Sequence, residues 1–165
     1  MATTDALTGL LNRACILDRL EMIAANAPGD GATAAVLFCD LDGLKTVNDT
    51  LGHAAGDAMI TTAARRAAGQ LRANDLIARF GGDEMLVVLP WVRDLDEAVG
   101  TADGLRKALA EPVPIPESDR EVQGSVSVGV AVLRPGESAD QVVSRADQAM
   151  YEAKSTGRNK VVTGE

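Results

Sequence analysis

Apolar residues at Leu7, Leu10, Leu11, Ile16, Leu17 and Leu20 recur at the three- and four-residue intervals of a helical face. The pattern predicts a first helix over roughly residues 8 to 25, broken by the proline and glycines of "APGDGAT" at 27–33. "AAVLFCDLD" (34–42) is apolar at almost every position until it ends in acids, as a strand buried on both faces reads. Met59, Ile60, Ala63, Ala64, Ala67, Ala68 and Leu71 return to helical spacing and predict a long helix ending near residue 71. "LIARF" (76–80) and "MLVVLP" (85–90) flank "GGDE" (81–84), which reads as a β-hairpin. A helix over roughly 94 to 110 follows, then a loop at "PVPIPE" (112–117) and an alternating strand at "VQGSVSVGVAVL" (122–133). Ser138 and Gln141 have capping-box spacing ahead of a last helix bearing Val142, Val143, Ala146, Met150 and Ala153. Gly157 ends that helix, and "NKVV" (159–162) supplies a short final strand. Helices and strands interleave around a mid-chain hairpin. That order predicts an α/β (α+β) sandwich of the ferredoxin-like kind, with a central hairpin carrying the GGDE turn, rather than a doubly wound parallel sheet.

Composition narrows the class. The 165 residues are 46% hydrophobic and 24% charged, which suits one globular domain with its own core. No apolar run approaches the ~20 residues of a membrane span. The start, "MATTDALTGL", lacks the basic and apolar regions of a signal peptide, so the cytoplasm is the expected location. Cys15 and Cys39 have no metal-ligand spacing and read as reduced thiols. A net charge of −8 and a pI near 4.7 argue against a surface for duplex nucleic acid. Two Phe, one Trp and one Tyr leave no stacking platform for single strands, so nucleic acid is not an expected partner. A single phosphorylated ligand remains compatible, provided a divalent cation intervenes.

The acids carry the chemistry. Side chains alternate along a strand, so Asp40 and Asp42 share a face with Val36 and Phe38. Should that strand neighbour the hairpin, Asp40 approaches Asp83 and Glu84 at the turn. Adjacent carboxylates repel unless a cation is shared, and without one burial and repulsion push some to protonate. Carboxylates with a carbonyl such as that of Leu41 make a hard oxygen site suited to Mg²⁺. Gly81 and Gly82 read as tight-turn residues able to take positive φ and to let a ligand approach the backbone. For any single acid, a solvated loop position is the commoner situation; the set together points to metal.

In order along the chain, "DALTGLLNR" (5–13), "DLDGLKTVNDTLGHAAGD" (40–57), "RANDLIARFGGDE" (72–84), "SVSVGVA" (125–131) and "RADQAMYEAKSTGRNKV" (145–161) resemble the GGDEF family of diguanylate cyclases. The likeness covers nearly the whole chain. It implies a fold related to nucleotidyl cyclases and polymerase palms. It also implies condensation of two GTP molecules into cyclic di-GMP with release of two pyrophosphates. On this resemblance Asp40, the Leu41 carbonyl, Asp83 and Glu84 hold Mg²⁺ or Mn²⁺, two ions per GTP. Asp83, Glu84 and Lys45 are the catalytic positions. Leu44, Lys45, Asn48, Asp57, Gly81, Gly82, Lys154 and Arg158 are the substrate positions, with Asn48 and Asp57 reading guanine and the cations meeting phosphate. Arg72 and Asp75 form an RxxD inhibitory product site, whose usual second arginine falls near Gly104 here and is missing.

Each assignment has a plainer counterpart. Asp57 reads equally as a helix cap after Gly56, Lys154 and Arg158 as cations at a helix C-terminus, and Arg72 with Asp75 as an exposed ion pair. His53, the only histidine, reads as structural. Met85 and Leu44 stand where the family usually has Phe, apolar for apolar. The resemblance implies a transient two-fold dimer for catalysis, and the start close to "DALTGL" suggests a single domain, 1–165, at the output end of a longer protein with an N-terminal sensory or dimerising region. The competing readings are a degenerate module that binds GTP or cyclic di-GMP without turnover, and a cyclase acting on ATP.

Overall fold

A computed structural model describes residues 2–27 and 33–165, so most of the predicted break at 27–33 lies outside the described residues. Among the described residues five helices and seven strands make the frame, five of the strands in one sheet. They are α1 (Arg13–Ala25), β1 (Thr33–Asp42), α2 (Leu44–Leu51), α3 (His53–Gly69), β2 (Leu76–Arg79), β3 (Glu84–Val92), α4 (Leu95–Leu109), β4 (Val113–Pro114), β5 (Glu121–Val122), β6 (Ser125–Val132), α5 (Ala139–Ser155) and β7 (Val161–Thr163). The main sheet runs β2-β3-β1-β6-β7, with β4 and β5 forming a separate pair. β1 lies between β3 and β6, antiparallel to both, and β7 joins β6 in parallel. The order of the first four strands is the ferredoxin-like one, with β1 and β3 at its centre and β2, the other strand of the hairpin, at the edge.

Alternation along β1 splits the core in two. Ala35, Leu37, Cys39 and Leu41 face a layer built from α2, α3 and α4. Val36 and Phe38 face α1 and α5. α5 packs closely on β6 at Gly129, where any Cβ would run into the backbone of Ala146 and Met150. That contact fixes the height of α5 against the sheet. Cys39 is buried and Cys15 half-buried, both as free thiols. Burial pushes the Cys39 thiol up to about 12, which leaves it inert.

Several boundaries differ from the pattern read in sequence. Residues 5–12 are not helical. The Asp5 carboxylate accepts the Thr8 N–H and hydroxyl, and the chain then runs beside β2, where the Leu11 N–H donates to the Ile77 carbonyl. Helix α1 begins only where the Asn12 side chain caps the Cys15 N–H. The long helix is preceded by a separate short one, α2, and Gly52 at φ +90° turns the chain between them. "PVPIPE" is not wholly loop, since Val113 pairs with Val122. The strand read from residue 122 starts at Ser125. The Ser138–Gln141 capping box and the stop after α5 are present as expected.

Candidate active site

β1 and β3 run side by side so that Asp40 lies directly across from Glu84. At the end of the pairing, the Leu41 N–H donates to the Asp83 carbonyl at 2.9 Å. This brings Asp40, the Leu41 peptide, Asp83 and Glu84 to one corner of the sheet. The hairpin turn closes with the Phe80 N–H donating to the Glu84 carbonyl at 2.8 Å. Neither Gly81 nor Gly82 takes the positive φ anticipated for a tight turn. Close approach explains Gly81 instead: a Cβ there would come within 2.5 Å of Glu84 Oε1. Gly82 has open space around it.

The electrostatics set these acids apart from ordinary surface carboxylates. Burial pushes the Asp40 carboxyl up to about 6, with neighbouring Asp83 adding to the rise and Lys154 opposing it. Burial also raises Glu84, helped by repulsion from Asp83 and Asp147 and opposed by Arg13 and Lys154. Asp40 Oδ1 is buried without an aligned hydrogen-bond donor. Its nearest countercharge is the Lys154 ammonium on α5, at 3.0 Å from Oδ1. The same Nζ donates to the Leu41 carbonyl at 3.1 Å and meets Asp42 Oδ1 at 2.9 Å. Lys154 is thus not simply a cation favoured by a helix end. It occupies the meeting point of two carboxylates and a carbonyl, and of these Asp40 and the Leu41 carbonyl are hard oxygen donors that suit Mg²⁺. Among the described residues no three acidic, His or Cys side chains converge closely enough to hold an ion by themselves. The fit to a divalent cation therefore rests on Asp40, whose buried Oδ1 meets only the Lys154 ammonium without an aligned donor, on the Leu41 carbonyl and on Glu84 across the ladder.

The other predicted residues fall into separate groups. Asn48, on α2, lies over the first turn of α3, where a Cβ on Gly56 would overlap its Oδ1. Asp57 is exposed and sits inside α3, which starts at His53, so it is not a helix cap. Lys45 is exposed on α2. Leu44 is 8% exposed and packs in the core with Val47 and Met59. Met85 is buried in the same layer. Arg158 is exposed just beyond α5, in a left-handed conformation. His53 is exposed at the start of α3.

Arg72 and Asp75 do not form the side-chain ion pair of the plainer reading. Asp75 accepts the Arg72 backbone N–H at 2.8 Å, while the Arg72 guanidinium pairs with Glu97 at 2.6 Å. Glu97 also accepts from Arg93 at 3.1 Å. The Arg72 hydrogen bond first, then those from Arg93, hold the Glu97 carboxyl down at about 2. Gly104, where the second arginine is missing, lies on α4, but Arg93 approaches Arg72 through the shared carboxylate.

Three contributors lie inside the quoted motifs without a site role assigned to them from sequence. Arg79 donates to the Gly82 carbonyl at 3.0 Å and reaches Asp5 at 3.4 Å, tying the turn to the N-terminal segment. Gly56 makes room for Asn48. Arg13 lies 4.2 Å over the Phe80 ring, beside a cleft of ≈ 310 Å³ that Glu84 and Asp147 also line. The first two need a tertiary neighbour to be meaningful, and no local periodicity announces them.

Comparison with known proteins assigns the family. The family model described as "Diguanylate cyclase, GGDEF domain" matches residues 2–160, and the chain belongs to that family. Among curated relatives, the bifunctional diguanylate cyclase/cyclic di-GMP phosphodiesterase MucR of Pseudomonas aeruginosa is 41% identical over 96% of this chain and 23% of its own length. The response regulator PleD of Caulobacter vibrioides is 35% identical over 98% of this chain and 36% of its own. The chain thus spans only about a quarter to a third of the length of such relatives. The solved GGDEF domain of DgcB from Caulobacter crescentus, in complex with c-di-GMP, superposes with a TM-score of 0.93 at 32% identity, covering 99% of this chain and 96% of that one. The GGDEF domain of TpbB from Pseudomonas aeruginosa gives 0.93 at 36% identity, covering 98% and 94%. No helix among the described residues is long and apolar enough to cross a membrane.

Proposed function

We propose that this chain condenses two GTP molecules into cyclic di-GMP and two pyrophosphates. The observation that carries the reading is the corner where Asp40 faces Glu84 and keeps a buried oxygen without an aligned donor, beside the Leu41 carbonyl. A bound Mg²⁺ would supply charge stabilisation at the phosphates and at the attacking oxygen. Asp40, the Leu41 carbonyl and Glu84 would hold it, with Asp83 beside them. Asn48 and Asp57 hydrogen-bond guanine, the amide donating and accepting and the carboxylate accepting from the ring N–H groups. Lys45, Lys154 and Arg158 meet the phosphates, and Gly82 leaves the backbone open to them.

In each of two steps, a 3′-hydroxyl gives up its proton, with Asp83 accepting it, and its oxygen bonds to the α-phosphorus of the second nucleotide. The bond from that phosphorus to the bridging oxygen breaks, and pyrophosphate leaves with the electron pair. Repeating the step in the opposite sense closes a two-fold symmetric ring, so each protomer of a transient C2 dimer presents one GTP. The chain is read as one output domain of a longer cytoplasmic protein, joined to an upstream sensory or dimerising region. Cyclic di-GMP, the product, also binds at Arg72 and Asp75. Arginine's fork suits the O6 and N7 edge of guanine, and binding there restrains the dimer rather than filling the substrate pocket, a coupling between distinct sites.

The test is incubation with GTP and Mg²⁺, with products separated by mass. Cyclic di-GMP and pyrophosphate in a 1:2 ratio, absent when the metal is omitted, support the reading. GTP bound but recovered intact would instead make the chain a sensor module.

A further inference from the structure

Asp42 lies on the same face of β1 as Asp40 and shares the Lys154 ammonium with it, but its other neighbours differ. Ser127 Oγ donates to its Oδ1 at 2.8 Å, and the Lys154 ammonium meets that oxygen at 2.9 Å. Ser125 Oγ donates to Oδ2 at 2.6 Å, and the Asn159 backbone N–H donates to the same oxygen at 3.1 Å. A carboxylate offers about four lone-pair positions, and all of them are used. Asp42 therefore has nothing left to offer a metal, whereas Asp40 keeps an oxygen without an aligned donor. Ser127 is fully buried, and with Ser125 it comes from β6 directly across the ladder from Asp40 and Asp42. Its hydroxyl inside the core is explained by the bond to Asp42.

The donors to Asp42 come from β6, from α5 and from the turn between α5 and β7. That turn carries Arg158 and Asn159, two consecutive non-glycine residues at φ +62° and +47°. Such conformations persist where the surroundings impose them. Here the Arg158 N–H donates to the Ala153 carbonyl, the Asn159 N–H donates to Asp42, and Arg106 of α4 donates to the Asn159 side chain at 3.2 Å. One saturated carboxylate thus holds both the Lys154 ammonium and the backbone that aims Arg158.

We propose that Asp42 is a positioning residue for nucleotide binding: its carboxylate fixes Lys154 and the Arg158 turn so that both cations face the phosphates. The proposal rests on the phosphate contacts given above for those two residues. Asp42 itself touches neither substrate nor metal.

The test is calorimetric titration of the whole chain, with Mg²⁺ present, using 3′-deoxy-GTP, which lacks the attacking hydroxyl, and 3′-deoxyguanosine, which lacks phosphates. Asp42→Asn should weaken 3′-deoxy-GTP about tenfold or more, as loss of a buried charge-assisted contact does, and leave 3′-deoxyguanosine within about twofold. In a Lys154→Ala, Arg158→Ala background the same substitution should add less than about twofold, because the groups it positions are gone. Ser125→Ala, which leaves the carboxylate in place, should weaken 3′-deoxy-GTP in the same direction by less; it carries the test should Asp42→Asn unfold. Equal loss for nucleotide and nucleoside, or a full further loss in the double background, overturns the positioning role. So does wild-type nucleotide affinity in both Asp42→Asn and Ser125→Ala while Lys154→Ala, Arg158→Ala binds weakly. Unchanged affinity in Lys154→Ala, Arg158→Ala overturns the phosphate role itself, and the positioning role falls with it.

Discussion

Two carboxylates on one face of β1 are spaced by a single residue, yet only one is free to do chemistry. Burial would raise Asp42, but hydrogen bonds from Ser125, Lys154 and Ser127 outweigh it and hold the carboxyl below its usual range. Asp40, where burial and the Asp83 carboxylate outweigh the opposing pull of Lys154, stands at about 6. Asp40→Asn and Asp83→Asn should each lower cyclic di-GMP formation by at least about 100-fold, as loss of a charge at a reacting phosphate does. Circular dichroism should show the fold retained. Turnover within a few-fold of wild type at saturating Mg²⁺ in either variant contradicts the assignment. The Asp40 shift also has a pH consequence. An unfolded Asp titrates near ~3.9, so the metal-free folded protein holds an extra proton between that pH and about 6. The stability this proton contributes is complete below the unfolded value and is lost as pH rises through about 6. The metal-free melting temperature should therefore fall less on going from pH 4 to pH 7 in Asp40→Asn than in wild type. Parallel curves for the two proteins contradict it.

At the scale of elements, the site is a meeting of one strand, one hairpin and the ends of two helices. Asn48 keeps its place because Gly56, in the first turn of α3, has no side chain. Gly56→Ala should therefore expel Asn48, raise KM for GTP roughly tenfold as a lost polar contact to a base does, and reduce discrimination against ATP. A KM and GTP preference equal to wild type would remove Asn48 from guanine recognition. Arg72 opens β2 from its N-terminal side, away from the GGDE turn at the other end. Cyclic di-GMP should inhibit noncompetitively with GTP, and Arg72→Ala should relieve inhibition without lowering the uninhibited rate. Competitive inhibition, or inhibition unchanged in Arg72→Ala, contradicts a separate product site. The hairpin, β1, β6 and the capping box of α5 were legible in sequence because apolar runs, strand alternation and cap chemistry are local. α2 was not, since eight residues give too few turns for a periodic signal. Leu7, Leu10 and Leu11 imitated a helical face, yet Leu7 lies in the turn that Asp5 closes with Thr8, Leu10 just after it, and Leu11 pairs beside β2.

For the whole molecule, the motifs made the acids of the corner legible but not the contacts that arm them. Asp40, Asp83 and Glu84 are readable by residue type and spacing. That Lys154 bridges Asp40, Leu41 and Asp42 depends on α5 seating against Gly129, a contact between distant stretches of chain that no local pattern reports. The same limit applies one level up. The product is a two-fold symmetric ring, and one chain presents one acidic corner, so catalysis as proposed needs two copies to meet. The measurement that tests this most directly is the initial rate of cyclic di-GMP formation from GTP and Mg²⁺ across a wide dilution series of the chain. Cyclic di-GMP should form, at a rate that rises faster than linearly with protein concentration. No cyclic di-GMP at any concentration, or a rate strictly proportional to concentration from a protein that light scattering shows to be monomeric, would contradict it.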